Sequence, residues 1–308
     1  MKAIRLRARG GPESLRFEDA PAPQPGPGEM LVRVLAAAVT PTELLWVPTW
    51  ATRDGGPRPP PVIPGHEFSG EVAALGEGVT AGGVGEPVYG MNDWFGDGAQ
   101  AEYCLARPAD VARKPASVDH AHAAVTPISA LTAWQGLFDR ARLAAGQHVL
   151  IHGAAGGVGG FAVQLARWRG ARVTATAAAG NLDFVRGLGA DEVIDYGAER
   201  FEERVRGVDA VFDTVGGETL ERSWGVLKPG GRLVTVAASG ERTTDERVRA
   251  AYFIVEPSRA ELEEVARLID SGEVRPVVGA EFPLADALLA YRYKPACGKV
   301  VLRVGDAV

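Results

Sequence analysis

The stretch "HVLIHGAAGGVGGFAVQLA", residues 148–166, restricts what this chain can fold into more than any other. A short apolar run suited to a buried strand enters a glycine-rich turn, and the turn opens straight into an apolar helical pattern. In that setting the register Ala154-x-Gly156-x-x-Gly159 fits the dinucleotide fingerprint G-x-G-x-x-G, with alanine in the first place. Glycines let the backbone approach a pyrophosphate, and the helix N-terminus favours its negative charge. Glycines needed only for tight helix–strand packing are the other reading. The strand–turn–helix context favours the nucleotide.

The residues after the turn keep alternating. "ARVTATA" reads as a strand, "NLDFVRGLGA" as a helix and "DEVIDY" as a strand. "DAVFDTVGG", "ETLERSWGVLKPGG" and "RLVTVAASG" continue as strand, helix and strand. This predicts a parallel sheet wrapped by helices. In "ELEEVARLIDSGEV", apolar residues at 262, 265, 266, 268 and 269 make an amphipathic helix capped by Gly272. The final "GKVVLRV" is a strand with no helix after it, which can return to an earlier domain.

Residues 1 to about 120 have another texture. "MLVRVLAAAV", "SGEVAALG", "EPVYGM" and "AQAEYCLA" are short β-type runs among Gly and Pro, and predict an irregular β domain. "APAPQPGPGE" reads as a surface turn region within it. A length of 308 residues suits two domains with a substantial core. The net charge of −6, with no basic block, argues against nucleic acid and anionic membrane surfaces as partners. No run of about 18 apolar residues is present to span a bilayer. The N-terminal residues carry no apolar run after their charges, so they do not read as a signal peptide. Two cysteines, Cys104 and Cys297, give no disulfide framework and no zinc motif, and fit reduced thiols in a cytoplasm.

An NAD site usually places Asp or Glu about 20 residues beyond the turn, for the ribose 2′-hydroxyl. Here that region reads "TATAAAGNLD", with no acid before Asp183, so nothing repels a 2′-phosphate and the reading leans to NADP.

The stretches "PGHEFSGEVAALGEGV", "LTAWQGLFDRARLAAGQHVLIHGAAGGVGGFAVQLAR", "LGADEVIDY", "VFDTVGGETLERSWGVLKPGGRLVTV" and "GKVVL" resemble the medium-chain dehydrogenase/reductase superfamily, in its zinc-free quinone oxidoreductase-like branch. The resemblance implies an α/β protein in two parts. One is a GroES-like irregular β-barrel catalytic domain, residues 1–120 and 259–308. The other is a Rossmann-type doubly wound parallel sheet domain, residues 121–258, that binds NAD(P). It also implies a homodimer, joined near the apolar edge "AAYFIVEP".

"PVIPGHEFSGEV" raises the question of a metal, because His66 and Glu67 are both ligand types. Zinc-dependent relatives carry cysteines at the positions of Thr40 and Ile128, and neither is a ligand here. One imidazole with Glu67 beside it cannot supply the three protein ligands of a catalytic zinc. The expectation is no metal, with Glu67 hydrogen-bonded inside its domain. Reduction of a simple ketone then lacks its Lewis acid, whereas a quinone or an α,β-unsaturated carbonyl spreads the added charge and needs only hydrogen-bond donors.

The resemblance also nominates residues. The turn Ala154, Ala155, Gly156, Gly157, Val158 and Gly159 would hold the pyrophosphate, with Thr176 at the end of the second strand. Thr40, before Pro41 and Glu43, would donate to the substrate oxygen or the carboxamide, or be a plain turn residue. Thr126 and Thr132 flank a segment that meets the cofactor, or are a cap and a packed side chain. Ala237, Phe253 and Ile254 match positions at the carboxamide edge. Trp46, Trp50 and Trp94 would wall a flat substrate, or simply pack. At the 2′-phosphate, relatives use Ser, Lys and Tyr where this chain has Ala178, Asn181 and Tyr196; Lys299 is retained and Cys297 replaces a basic residue. The implied activity is NADPH-dependent reduction of quinones or enones without zinc. A reductase dedicated to one biosynthetic intermediate and a non-catalytic NADPH-binding protein are the alternatives.

Overall fold

The structure is a computed structural model that describes residues 1–237 and 243–305. Strands β1 (Lys2–Leu6) and β2 (Leu15–Asp19) form an antiparallel pair. β3 (Met30–Val39) is the spine of a larger sheet that also holds β4 (Glu67–Leu75), β5 (Pro87–Met91), β6 (Tyr103–Ala106) and β7 (Val111–Arg113). Val32 and Val34 alternate with exposed Arg33, as a half-buried strand requires, and burial becomes continuous from Ala36 to Val39. Between β3 and β4 lies a proline-rich excursion whose one α-helical turn is α1 (Val47–Trp50).

Two helices lead out of this domain, α2 (His120–Ala124) and α3 (Pro127–Trp134). Ala36 and Ala38 pack on α2, which explains why β3 is apolar on both faces there. The second sheet follows as β8 (His148–Ile151), α4 (Gly157–Trp168), β9 (Arg172–Ala177), α5 (Leu182–Gly187), β10 (Glu192–Asp195), α6 (Phe201–Arg204), β11 (Val208–Asp213), α7 (Gly217–Ser223) and β12 (Leu227–Thr235). Its strands are all parallel, in the order β10-β9-β8-β11-β12. The order reverses between β8 and β11, and in such sheets ligands bind at the crevice outside that switch point.

The chain continues through α8 (Glu246–Ala251) and α9 (Arg259–Asp270), the latter capped by Ser258, whose Oγ accepts from Glu261 N, and by Gly272 at φ +78°. Leu262, Val265, Leu268 and Ile269 are its buried face. β13 (Val278–Pro283), α10 (Ala287–Arg292) and β14 (Lys299–Arg303) complete the described chain. β14 pairs antiparallel with β3, Val300 opposite Val39, so the last strand does return to the first sheet. Among the described residues no helix is long and apolar enough to cross a membrane.

Two local expectations fail. The helix expected over "ETLERSWGVLKPGG" ends at Ser223, with a single 3₁₀ turn to Val226, and residues from Leu227 onward already belong to β12. Pro229 has no N–H for a helix to use. The last three residues of "RLVTVAASG", 238–240, lie outside the described residues. No strand forms over "AAYFIVEP" either: Tyr252 makes one isolated bridge to Thr235. The segment's polar backbone is answered by a side chain, with Gln135 Nε2 donating to Glu256 O at 2.8 Å and Glu256 N donating to Gln135 Oε1 at 3.0 Å. The sheet edge proposed for dimer formation is therefore absent at that place.

Candidate active site

The glycine turn lies at the C-terminal end of β8, beside the switch point. Its residues divide by role. Ala154 is fully buried and donates its N–H to Thr176 O at 3.2 Å, fixing the turn to β9. Gly159 admits no side chain, because a Cβ there would sit 2.2 Å from Gly153 O. Gly156 is exposed and caps α4, and an added Cβ would meet nothing closer than Gly153 O at 3.3 Å. Its N–H donates to Gly153 O at 3.0 Å, so what it offers a pyrophosphate is close approach, with no side chain in the way, at a helix N-terminus. A Cβ on Gly157 would stand 3.1 Å from Ser129 Oγ and 3.5 Å from Lys299 Cδ. Ala155 accepts at 2.9 Å from Gly298 N, which brings the chain before β14 against the turn. Val158 packs on the core beneath.

The far ends of β9 and β10 lie side by side, Asp195 level with Ala177. Tyr196 is 64% exposed there and donates its N–H to Ala177 O at 3.2 Å, so it neighbours Ala178. Asp195 turns its carboxylate onto Gly197 N at 2.9 Å. Asn181 Nδ2 donates to Ala296 O at 2.7 Å and ties this loop to the chain before β14. The Thr176 hydroxyl is turned inward and bonds His152 Nδ1 at 3.0 Å.

The opposite wall of the cleft comes from the first domain. Glu43, on the turn after β3, is 1% exposed and lies with Oε1 2.9 Å from His66 Nδ1. Gly65 N–H donates to the same oxygen. Glu43 N also bonds Thr40 O at 3.0 Å, so Thr40, Glu43 and His66 form one cluster. Trp94 stands against the imidazole with ring centroids 5.2 Å apart, and Trp46 meets Trp94 edge-on at 5.3 Å. Trp50 does not join them: its Nε1 donates to Leu44 O at 2.7 Å and its ring packs on the first-domain core. Thr126 and Thr132 spend their hydroxyls on His122 O at 2.8 Å and Ile128 O at 2.6 Å, back-bonds within the helical segments.

Glu67, next to His66 in the chain, is 1% exposed. One oxygen accepts from Ile128 N at 3.0 Å and the other is ion-paired with the Lys299 ammonium. Burial pushes the Glu67 carboxyl up, and Lys299 opposes that. Among the polar atoms buried with no partner are Thr40 Oγ1, His66 Nε2 and Ser129 Oγ. Across the switch point, Asp213 accepts from Thr235 Oγ1 at 2.8 Å and from Gly216 N at 3.0 Å, shaping the loop after β11. Ala237 is exposed and its N–H donates to Thr235 Oγ1 at 3.2 Å, next to that loop. Of the remaining pair, Ile254 is 58% exposed, whereas Phe253 is buried, with the Arg140 guanidinium 5.6 Å from its ring.

A glycine turn at a switch point, faced by a β domain that the last strand re-enters, is a distinctive assembly, and comparison with known proteins agrees with it. Residues 26–116 match the alcohol dehydrogenase GroES-like domain family and residues 188–302 the zinc-binding dehydrogenase family. The quinone oxidoreductase of Rattus norvegicus is 30% identical, over 94% of this chain and 93% of its own. The chloroplastic NADPH-dependent alkenal/one oxidoreductase of Arabidopsis thaliana is 32% identical over 98% of this chain and 79% of its own. The solved quinone oxidoreductase of Coxiella burnetii superposes with a TM-score of 0.89 at 30% identity, covering 99% of both chains. The chain belongs to the medium-chain dehydrogenase/reductase superfamily. Within it, it falls in the quinone oxidoreductase-like branch.

Other members of this superfamily hold zinc, so the metal has to be tested against the residues present. Among the described residues no three His, Cys, Asp or Glu side chains gather as a metal site. Cys104 is buried in the first-domain core. Both Glu67 oxygens and His66 Nδ1 already have partners, and an ammonium occupies the place beside Glu67. A single imidazole nitrogen remains, which does not fit a zinc ion. The residues that sequence reasoning passed over are Ser129, Asp213 and the bond of Glu43 to His66. The spacing Thr40-Pro41-x-Glu43 carried a trace of the last, but no local pattern joins Glu43 to His66.

Proposed function

We propose that this superfamily member is a zinc-independent, NADPH-dependent reductase of quinones or α,β-unsaturated carbonyls. The observation that carries the reading is the Lys299–Glu67 ion pair, an ammonium where a metal-dependent enzyme would need a ligand set. When bound, the reduced nicotinamide supplies the hydride. The protein supplies everything else. Gly156 and Gly157 would receive the pyrophosphate at the start of α4, and the loop around Ala237 would border the nicotinamide. Trp46 and Trp94 offer flat faces to a conjugated acceptor. Thr40 Oγ1, buried and unpartnered, can donate to the acceptor's oxygen, where charge collects after reduction.

The lean to NADPH is supported at the adenosine end. β9 ends at Ala177 and is followed by Ala178, Ala179 and Gly180, with no acid before Asp183, and Tyr196 stands exposed beside Ala178. The names of two relatives, an NADPH-dependent alkenal/one oxidoreductase and a quinone oxidoreductase, point to the same acceptors. The test is NADPH oxidation followed by absorbance against quinones, enones and enoyl thioesters, with NADH and a chelator-treated sample in parallel. Turnover of a conjugated acceptor that survives chelation and is weak with NADH supports the reading. Turnover only after zinc is restored removes it.

A further inference from the structure

The geometry points to Ser129 as a hydrogen-bond donor to the cofactor's diphosphate, reaching it from α3 across the start of α4; this rests on the cofactor site in the reading above. Ser129 lies inside α3 and is 1% exposed, yet its Oγ is buried with no partner. A helical serine or threonine has a local option, the carbonyl one turn back. Thr126 and Thr132, three residues to either side, take it, at 2.8 Å from His122 O and 2.6 Å from Ile128 O. Of the three, Ser129 leaves its hydroxyl unspent. A buried polar group left unanswered is costly, so it marks a place that a ligand completes.

The hydroxyl is aimed at the first turn of α4. A Cβ on Gly157 would stand 3.1 Å from Ser129 Oγ and 3.5 Å from Lys299 Cδ. Because Gly157 has no side chain, the hydroxyl and the lysine stem face one bare piece of backbone. α3 comes this close because the residues between the two helices are small: Ala130 and Ala133 share a core with Phe161 and Ala162 of α4. Gly157 is half-buried and Gly156, before it, is exposed, so this corner opens outward along the turn. A small cavity of about 10 Å³ shares Gly157 and Lys299 with the corner and is lined also by Gly156 and Gly298. That is room for one water-sized group, the size of a phosphate oxygen.

The charge of the place selects the ligand. α4 runs for 12 residues, and the first N–H groups of a helix have no partner within it. Together with the helix dipole they draw an anion to this end. An anionic oxygen seated there only accepts, and a serine hydroxyl beside it donates, which makes a short, strong bond. The diphosphate is the part of the cofactor that brings such oxygens to the glycine turn. The adenosine end lies apart from it, at Ala178 and Tyr196. The Lys299 ammonium stays on Glu67, so its stem walls the corner while Ser129 supplies the donor. Ser129 binds the cofactor and touches no reacting atom.

Ser129→Ala removes the hydroxyl, and alanine is the better helix former. Calorimetry on the cofactor-free protein compares three ligands. They are NADP⁺; 2′-phospho-ADP-ribose, which keeps the diphosphate without the nicotinamide; and 2′-AMP, which lacks the diphosphate. The expected result is a loss of about 10-fold or more, equal for NADP⁺ and 2′-phospho-ADP-ribose, with 2′-AMP binding unchanged. The melting temperature of the cofactor-free protein should stay or rise, since an unanswered buried hydroxyl has gone. Ser129→Cys, close in size and a weak donor, should lose affinity in the same pattern. Equal affinities in the wild type and both variants overturn the proposal. So does a loss that extends to 2′-AMP, the mark of a serine that only shapes the fold, and so does a loss confined to NADP⁺, which moves the hydroxyl to the nicotinamide. ADP-ribose and adenosine run in parallel, so a protein that prefers NADH loses the NADPH reading while the same comparison still decides for Ser129. A diphosphate-dependent loss in a protein that reduces no acceptor keeps Ser129 in this role and removes the reductase reading.

Discussion

Lys299, in the last strand, is ion-paired with Glu67 at the start of β4, 232 residues earlier in the chain. The side chains are 11% and 1% exposed, so the pair is shielded from water. It ties β14 to the start of β4. Breaking one side of such a pair leaves a buried charge, and costs on the order of 3 kcal/mol. Lys299→Met should lose about that much stability in urea denaturation. The double variant Glu67→Gln with Lys299→Met should regain most of it, since a glutamine still accepts from Ile128 N. Equal losses in the single and double variants would show that the pairing is not what stabilises this place.

The glycines of the turn separate by function. A Cβ on Gly159 would sit 2.2 Å from Gly153 O, so Gly159→Ala must push α4 away from β8. Overpacking of this kind costs about 1–3 kcal/mol, and cofactor binding should be lost with it. Gly156 has a φ of −76°, which alanine adopts freely, and an added Cβ would meet only Gly153 O, at 3.3 Å, a contact that a shift of a few tenths of an ångström relieves. Gly156→Ala should keep its melting temperature and weaken NADPH binding about 10-fold, read from nicotinamide fluorescence. A Gly156→Ala protein that binds NADPH normally would place the pyrophosphate elsewhere.

At the adenosine end, Tyr196 offers an exposed hydroxyl beside Ala178. A hydrogen bond to a charged group contributes about 1.5–3 kcal/mol. Tyr196→Phe should therefore reduce the NADPH over NADH preference in kcat/KM by about 10-fold or more, with NADH turnover unchanged. Ala178→Asp should go further and favour NADH, because a carboxylate there repels the 2′-phosphate and accepts from the 2′-hydroxyl. A preference that Tyr196→Phe leaves intact would move recognition of the phosphate to another residue.

Much of this architecture was legible because it is local. The apolar run of β8, the glycine turn and the periodicity of α4 and α9 each sit within a dozen or so residues, and each formed as read. What the sequence hid is long-range. Trp50 resembles Trp46 and Trp94 in any local reading, yet its indole is bonded to Leu44 O while the other two meet. Lys299 reads as a cation for a phosphate until the fold places it on Glu67. "AAYFIVEP" has the composition of a strand, but Gln135, 121 residues away, takes both hydrogen bonds of Glu256. Propensity reports what a segment prefers alone, and these outcomes were decided by partners distant in sequence.

His152 gives the stability a pH dependence of known sign. It is fully buried at the end of β8, with Nε2 3.0 Å from Ser223 Oγ and Nδ1 3.0 Å from Thr176 Oγ1. Ser223 Oγ already donates to Thr219 O at 2.6 Å, so it accepts from His152 Nε2–H, and Nδ1 is left to accept from Thr176. A neutral imidazole satisfies both contacts, and a second ring proton has no acceptor. Burial accordingly lowers the pKa from 6.5 to about 4. The unfolded chain takes up this proton near 6.5 and the folded one only near 4, so the contribution is full above 6.5 and is lost as pH falls between those values. Inside that window the slope is roughly 1.4 kcal/mol per pH unit. His120 and His148 are also lowered, chiefly by burial, and add slopes of the same sign. Comparison with His152→Asn isolates the one residue: its unfolding free energy should fall less steeply from pH 6.5 to 4 than that of the wild type, and parallel curves would mean that His152 is already protonated in the folded protein.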